Sequence, residues 1–306
     1  MITIGIMPAR NEGWVIGLTA RALLGWVDAL IVLDHASTDE TPDILATIQR
    51  EVGAQRLKVL KEYGPIWEEM RHRQRLLVEA RELCATYLHG ALSVVMVDAD
   101  EILTSNLIPS MQQHIGRCPL AGVMQIPWIQ LRGSLDTFIS GGQWAEQDVS
   151  MAFLDHPRFC WAARNGYDFH HRHPMGLQII PYQPLGPAFI GRRSGGLMHL
   201  QMVSHRRLRA KQALYVMQET IRWPGRMTAQ QLNAMYGPTV YGGRMDGAVK
   251  PEILTAGVQE AWWNGYADLM RHIDVDAVPW QEAECKRLMD AHGADAFRGL
   301  DLFGVL

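Results

Sequence analysis

Over the first hundred residues, short apolar runs alternate with longer stretches whose apolar positions recur every three or four residues. This is the pattern of βα units feeding a mostly parallel sheet. Residues 2–7 read as the first strand. Val15, Ile16, Leu18, Ala22, Leu23 and Trp26 follow at helical spacing, and residues 29–33 form a second, fully apolar strand. Thr41 is expected to cap the next helix, with Pro42 in its first turn, Ile44, Leu45, Ile48 and Val52 as the buried stripe, and Gly53 as the stop. Residues 57–60 read as a third strand. From 68 to 89, Met70, Leu76, Leu77, Ala80, Leu83, Cys84 and Tyr87 share one helical face, and Gly90 separates this helix from a fourth strand at 92–97. After Asp100 the pattern changes. Residues 123–131 alternate like a half-exposed strand, and the Gly, Pro, Trp, His and Arg crowded into 133–193 predict antiparallel strands and loops. A helix is expected over 203–223, and one or two more over 251–288, around Pro279. The fold class is α/β: a Rossmann-like, mostly parallel sheet flanked by helices, followed by an antiparallel region and C-terminal helices.

Composition narrows the function classes. With 306 residues, 48% of them hydrophobic and 20% charged, the chain has ordinary globular chemistry and is no disordered tail, collagen or coiled coil. Its 29 Lys+Arg against 32 Asp+Glu give a net charge of −3, so any anionic partner would need a local basic patch. No apolar run approaches the roughly 20 residues of a membrane helix, because the best candidate, 23–33, contains Asp28. No basic stretch precedes the first strand, so a cytoplasmic location is expected. Cys84, Cys118, Cys160 and Cys285 lie far apart without a C-x-x-C spacing, which predicts reduced and mostly buried thiols.

Carboxylates appear where the apolar strands end. Pro8-Ala9-Arg10-Asn11-Glu12 follows the first strand, Asp34-His35-Ala36-Ser37-Thr38-Asp39-Glu40-Thr41 the second, and Asp98-Ala99-Asp100-Glu101 the fourth. A single Asp after a strand is usually a turn residue or a helix cap. In a parallel sheet, however, these three strand ends share one edge, the place where open α/β sheets bind ligands. Convergent acids suit a hard cation such as Mg²⁺ or Mn²⁺, which takes one or two carboxylates together with substrate phosphates.

These motifs resemble the family 2 glycosyltransferases, enzymes of the GT-A fold that use nucleoside-diphosphate sugars. The likeness covers about residues 1–105, expected to be the nucleotide-sugar-binding units; residues 106–223 would complete the site and bind the acceptor, and 224–306 would form a helical appendage. The resemblance implies that Asn11, Glu12 and Asp34 hold the nucleobase, within a nucleotide-sugar set of Pro8, Arg10, Asn11, Glu12, Asp34, Arg73, Asp98, Ala99 and Lys211. It also implies a Mn²⁺ or Mg²⁺ ion bound by Asp100, with Asp98 and His199 as further ligands and Glu101 behind them. Arg73-Gln74 is similar to the family's Arg-Asn pair, with Gln in place of Asn. Arg207 or Lys211, on the helix after His199, would face the leaving diphosphate. Arg206, Arg207, Arg209 and Lys211 read equally as a solvated helix face, and His199 as a core histidine.

An inverting transfer also needs a general base for the acceptor hydroxyl. The family's Glu-Asp signature is absent, and among Glu146, Asp148, Asp155 and Asp168 the expected catalytic residue is Asp148 or Asp168. Trp144 and Trp161 are candidates for a sugar platform or for core packing. Adjacent side chains of a strand face opposite ways, so His170-His171-Arg172-His173 cannot converge on one zinc ion. An exposed loop contacting phosphate or carboxylate is expected there instead, joining Arg192 and Arg193 in a basic face for an acceptor that is a glycan, a lipid-linked group or a nucleic acid. The Gly-rich loops of nucleotidyltransferases and dinucleotide-binding dehydrogenases are missing after the first strand. The expected activity is therefore metal-dependent transfer of a sugar, with UDP as the default carrier, to an acceptor hydroxyl. The alternative is a non-catalytic scaffold that binds nucleotide or carbohydrate. Trp262, Trp263, Tyr266, Leu269 and Met270 could present an apolar face to a membrane, or pack onto the sheet.

Overall fold

The computed structural model describes residues 1–64, 66–120, 122–162, 172–175, 178–181, 194–241 and 250–306. Its elements open with β1 (Ile2–Ala9), α1 (Ile16–Leu24), β2 (Ala29–His35), α2 (Thr41–Val52), β3 (Leu57–Glu62), α3 (Glu69–Leu83) and β4 (Leu92–Met96), the expected βα alternation. There follow β5 (Glu101–Leu103), α4 (Ile108–Gly116), β6 (Gly122–Arg132), β7 (Thr137–Gly141), β8 (Asp148–Leu154), β9 (Gln178–Pro181) and β10 (Leu197–Met202). The last elements are α5 (His205–Arg222), α6 (Ala229–Tyr241), β11 (Lys250–Ile253), α7 (Ala256–Trp263) and α8 (Trp280–His292).

The chain divides into two compact units: residues 1–129, 148–198 and 255–274 form the first, and 130–147, 199–254 and 275–306 the second. In the first unit β1 pairs in parallel with β2 and with β4, and β2 pairs in parallel with β3. β8 runs antiparallel to β4, and β6 antiparallel to β8. The mixed α/β architecture, a mostly parallel sheet flanked by helices, is the one expected. Helices cover both faces, which is why the strands read as unbroken apolar runs. Leu30, Val32 and Val95 pack in one layer with Leu23, Leu45 and Ile48, while Ile4, Ile31, Leu33 and Met96 pack in the other with Met70, Leu76, Leu77 and Ala80. Residues 255–274 belong to this unit: the Tyr266 hydroxyl donates to Leu103 O at 2.6 Å and the Ser105 hydroxyl to Ala261 O at 3.0 Å. Trp262, Trp263 and Tyr266 are buried, so they pack and do not form an exposed apolar face. No helix among the described residues is long and apolar enough to cross a membrane.

The second unit joins an antiparallel pair, β7 and β11, to α5, α6 and α8, whose core includes Leu214, Met217, Leu232, Cys285, Leu288 and Phe297. Lys250–Ile253 falls where a helix was expected; it pairs with β7, with Pro251 at an irregularity in the register. Other departures are local. Thr41 lies inside the first turn of α2 and does not cap it, because its hydroxyl accepts from Glu12 N at 2.8 Å. The helix expected to reach His89 turns π-helical at Cys84–Leu88, which rotates Tyr87 off the buried face and leaves it 58% exposed. The four cysteines are free thiols; Cys160 is half-buried and the others are buried.

In the second unit the half-buried Arg132 guanidinium donates to Thr239 O at 3.0 Å and Val240 O at 2.9 Å, satisfying carbonyls at the end of α6. Arg132→Met is expected to cost about 2 kcal/mol. The check is urea unfolding, as a lower midpoint at constant slope.

Candidate active site

The chain steps from β1 to β2 to β3 in one direction and returns to place β4 on the other side of β1, so the strand order reverses between β1 and β4. Ligand crevices in such sheets lie outside the carboxyl ends of the strands at this switch. Ala9 pairs with Asp34 and Asp34 with Lys61, so the motif loops leave the sheet side by side.

The loops after β1 and β2 are laced together. Asn11 is buried in the left-handed region (φ 53°), which Asn tolerates better than most residues. Its side-chain oxygen accepts from Thr38 N at 2.6 Å, and its backbone N–H donates to Ser37 Oγ at 2.8 Å. Gly13 N donates to Asp39 Oδ2 at 2.9 Å, and the Trp14 indole to Glu12 Oε2 at 2.7 Å. Asp34 is buried; Lys61 donates to its Oδ2 at 2.8 Å and Ser37 N to its Oδ1 at 3.3 Å. Pro8 is buried and Arg10 half-buried, its Nη1 3.5 Å from His35 Nδ1.

The loop after β4 closes on itself and on α1. Glu101 N donates to Asp98 O at 3.0 Å, Asp98 N to Glu101 Oε2 at 2.8 Å, and Thr19 Oγ1 to Ala99 O at 2.7 Å. Glu101 is fully buried and also accepts from Trp128 Nε1 at 2.9 Å. Two guanidiniums hold Asp98. Arg73 donates to its Oδ1 at 2.9 Å and Arg172 to its Oδ2 at 3.0 Å. Arg73 is buried on α3 and also pairs with Glu69, one turn earlier, at 2.8 Å. Burial alone would raise the pKa of Asp98, yet Arg172 and Arg73 hold it below the usual carboxylate range. Burial would equally lower the pKa values of both arginines, and the facing carboxylates raise them instead, Arg172 through Glu101 and Asp98, Arg73 through Asp98 and Glu69. Arg172, expected on an exposed loop, is therefore turned inward. Asp100 is buried close enough for its charge to act on Asp98.

Beside Asp34 lies an aromatic cluster. The His35 ring meets Trp67 edge-on at 5.3 Å and His72 at 4.7 Å, and His72 meets Trp67 at 4.9 Å. Both imidazoles are fully buried; His35 Nε2 and both His72 nitrogens have no hydrogen-bond partner among the described residues. Burial, with His35 and Arg71 nearby, lowers the pKa of His72 to about 4, and burial with Arg10 lowers that of His35.

The remaining candidates are placed as follows. Asp148 is exposed at the start of β8, and because β8 is antiparallel to β4 this start lies at the edge where β4 ends. Asp155 lies at the opposite end of β8 and pairs with Arg81 at 2.8 Å, a structural role. Asp168, His170, His171, Arg192 and Arg193 lie outside the described residues. His199 and Lys211 belong to the second unit. His199 is buried there, with Nδ1 2.9 Å from Gln130 Oε1, and Lys211 is half-buried on α5. On the same helix Arg206 pairs with Glu282 at 2.6 Å, and Arg207 is buried, donating to Ala277 O at 3.0 Å. Trp161 is core, edge-on to Phe153; Trp144 is half-buried and packs beside Ile139 and Met202. Among the described residues no group of three His, Cys, Asp or Glu side chains is placed to hold a metal ion.

No family model matches this chain. No curated protein matches it either. Among solved structures it is similar to residues 1–349 of S. aureus TarS, at 13% identity over 97% of this chain and 88% of that one, with a TM-score of 0.40. It is also similar to glucosyl-3-phosphoglycerate synthase from Mycobacterium tuberculosis in complex with Mn²⁺, UDP and phosphoglyceric acid, at 23% identity over 42% of this chain and 43% of that one (TM-score 0.26). A third is GalNAc-T7 with UDP, GalNAc and Mn²⁺, at 13% identity over 44% of this chain and 23% of that one (TM-score 0.28). All three are GT-A glycosyltransferases. At TM-scores of 0.40 and below, the likeness assigns this chain no substrate.

Sequence reasoning passed over Lys61, Glu69, Trp128, His35 and His72. The Glu69-to-Arg73 spacing of four was the one legible signal among them. Because the folded pKa of His72 is depressed, its neutral form stabilises the fold fully above the ordinary value of 6.5, and that stability is lost as pH falls toward about 4. His72→Phe removes this dependence. Relative to the parent it should gain stability below pH 6.5, by up to roughly 3 kcal/mol at about 1.4 kcal/mol per pKa unit, as read from unfolding curves across that range.

Proposed function

We propose that the protein is a glycosyltransferase that moves a sugar from a nucleoside diphosphate, UDP in the first instance, to an acceptor hydroxyl with inversion. One observation carries the reading: Asp34, Asp98, Asp100 and Arg73 gather in one unit at the sheet edge where strand order reverses. Nucleobase recognition falls to the β1 and β2 loops, with Asp34 accepting from a base N–H. Arg73 Nη1, buried without a partner among the described residues, is a donor that a ligand oxygen would satisfy. Asp100 is buried at the end of β4, close enough for its charge to act on Asp98. We assign Mn²⁺ or Mg²⁺ to Asp100; bound there, it would neutralise the diphosphate. Asp98, with both oxygens paired to guanidiniums, does not fit a direct ligand. Asp148 is the base we assign, exposed at this edge, where a carboxylate can take the acceptor proton as the oxygen attacks the anomeric carbon. The pairing of Asp98 favours the second reading, a module that binds nucleotide without turnover.

A thermal-shift screen of UDP, GDP, CDP, ADP and dTDP, each with and without Mn²⁺, tests the donor site, since a ligand specific to the folded state raises its stability. One nucleotide should shift the midpoint, more strongly with Mn²⁺, and Asp100→Ala should remove the Mn²⁺ increment; no shift with any of the five would sink the donor assignment. Asp148→Asn should lower turnover by roughly 10²–10⁴-fold with donor affinity unchanged. Full activity in that variant would place the base elsewhere, and absence of turnover in the parent, despite nucleotide binding, would favour the module.

A further inference from the structure

We propose that the contact between His35 and His72 is an acid-sensitive joint: proton uptake at His72 opens the first turns of α3 from the end of β2 and releases Arg73, while the rest of the first unit stays folded. The joint rests on its own geometry. Its bearing on a ligand rests on the glycosyltransferase reading, because His35 follows Asp34 and His72 precedes Arg73 in the chain. His35 ends β2 and His72 lies in the first turn of α3, so their ring contact at 4.7 Å ties helix to sheet. Trp67, half-buried just before the helix, packs edge-on against both rings. This closed arrangement has no place for a further proton. An imidazolium carries two N–H donors, and among the described residues neither nitrogen of His72 meets a hydrogen-bond partner, nor does His35 Nε2. His35 Nδ1 faces a cation, with Arg10 Nη1 at 3.5 Å. A buried charge without a hydrogen bond is costly, so the proton enters only as the rings part.

The charges on the surrounding elements leave that direction unchanged. Arg10, from the loop after β1, and Arg71, from α3, oppose a proton here; Glu62, from β3, and Glu69, from α3, favour it, and burial is the largest influence on either ring. Asp34 and Lys61 are paired with each other at 2.8 Å. The start of α3 is its weak point. Glu68, at the N-cap, makes no capping hydrogen bond, whereas Leu76, Leu77 and Ala80 are fully buried in the core layer. Opening therefore stops short of Leu76. Arg73 lies within the stretch that opens, and leaves Asp98 and Glu69 with it. Above the ordinary value of 6.5 His72 is neutral in both states; below it the open state takes the proton first, since the closed ring titrates at about 4. By about pH 5 opening becomes about 30-fold more favourable.

The test is amide hydrogen exchange of the full-length protein at about pH 7.5 and about pH 5, corrected for the intrinsic exchange rate at each pH. From the higher pH to the lower, protection of amides 72–75 should fall at least about 30-fold in the parent, and at least about tenfold less in His72→Phe. In the parent it should stay below the protection of β4 at both pH values, because the opening is local. A fall in the variant within about threefold of the parent's would overturn the proposal. Equal protection of 72–75 and β4 would overturn it too, since both would then exchange through global unfolding. Should His72→Phe fail to fold, His72→Leu takes its place under the same criteria. UDP bound at the closed edge should raise protection of 72–75 at about pH 5, and bound UDP that leaves it unchanged would overturn the link between joint and ligand. If UDP binds at neither pH, the glycosyltransferase reading fails by itself and that link with it, while the comparison of parent and variant still decides the joint.

Discussion

The first unit depends on a balance of charge at the end of β4. Glu69 and Glu101 are buried there beside the half-buried Asp98, where an unpaired carboxylate is costly, and Arg73 and Arg172 compensate them at hydrogen-bond distance. The same ion pairs do architectural work. Arg73 ties α3 to the end of β4, Arg172 ties that end to β8, and Glu101 ties it to β6 through Trp128. The parallel and antiparallel parts of the sheet therefore meet at the acidic loop, and the loop's shape is set by the pairing.

The β1 and β2 side of the edge is built by other means. Between β1 and α1, and between β2 and α2, backbone N–H groups are satisfied by short side chains from the opposite loop: Ser37, Asp39 and Thr41 receive three successive donors from Asn11, Glu12 and Gly13. This crosslacing fixes both loops before any ligand arrives, the condition for a site held to sub-ångström tolerance. Ala36, in the left-handed region at φ 49°, shows that the second loop accepts backbone strain to keep its path.

The sequence made the βα half legible because burial on both faces writes continuous apolar strands and regular helical stripes, and because strand-end acids mark the sheet edge whatever the details of packing. Three things could not be read. The π-turn at Cys84–Leu88 has no periodic signature, and Lys250–Ile253 is too short and too rich in Pro and charge to announce a strand. Arg172 was the hardest: a charged residue amid histidines looks solvated until its partners, Asp98 and the buried Glu101, are known, and these lie 74 and 71 residues away. Thr41 shows the same limit on a smaller scale, since its hydroxyl serves a loop 29 residues earlier and not its own helix.

That separation bears on how the chain is made. The acids of the β4 loop leave the ribosome long before residue 172 does, while the strands that shield them from water are already able to pair. Until Arg172 emerges, the nascent sheet carries Glu101 and one oxygen of Asp98 without their counter-charge, and sealing that edge is unfavourable. Completion of the first unit is thus tied to synthesis of a segment well beyond its βα half, and a chain released before that point would keep an open, hydrated end at the edge where its strand order reverses.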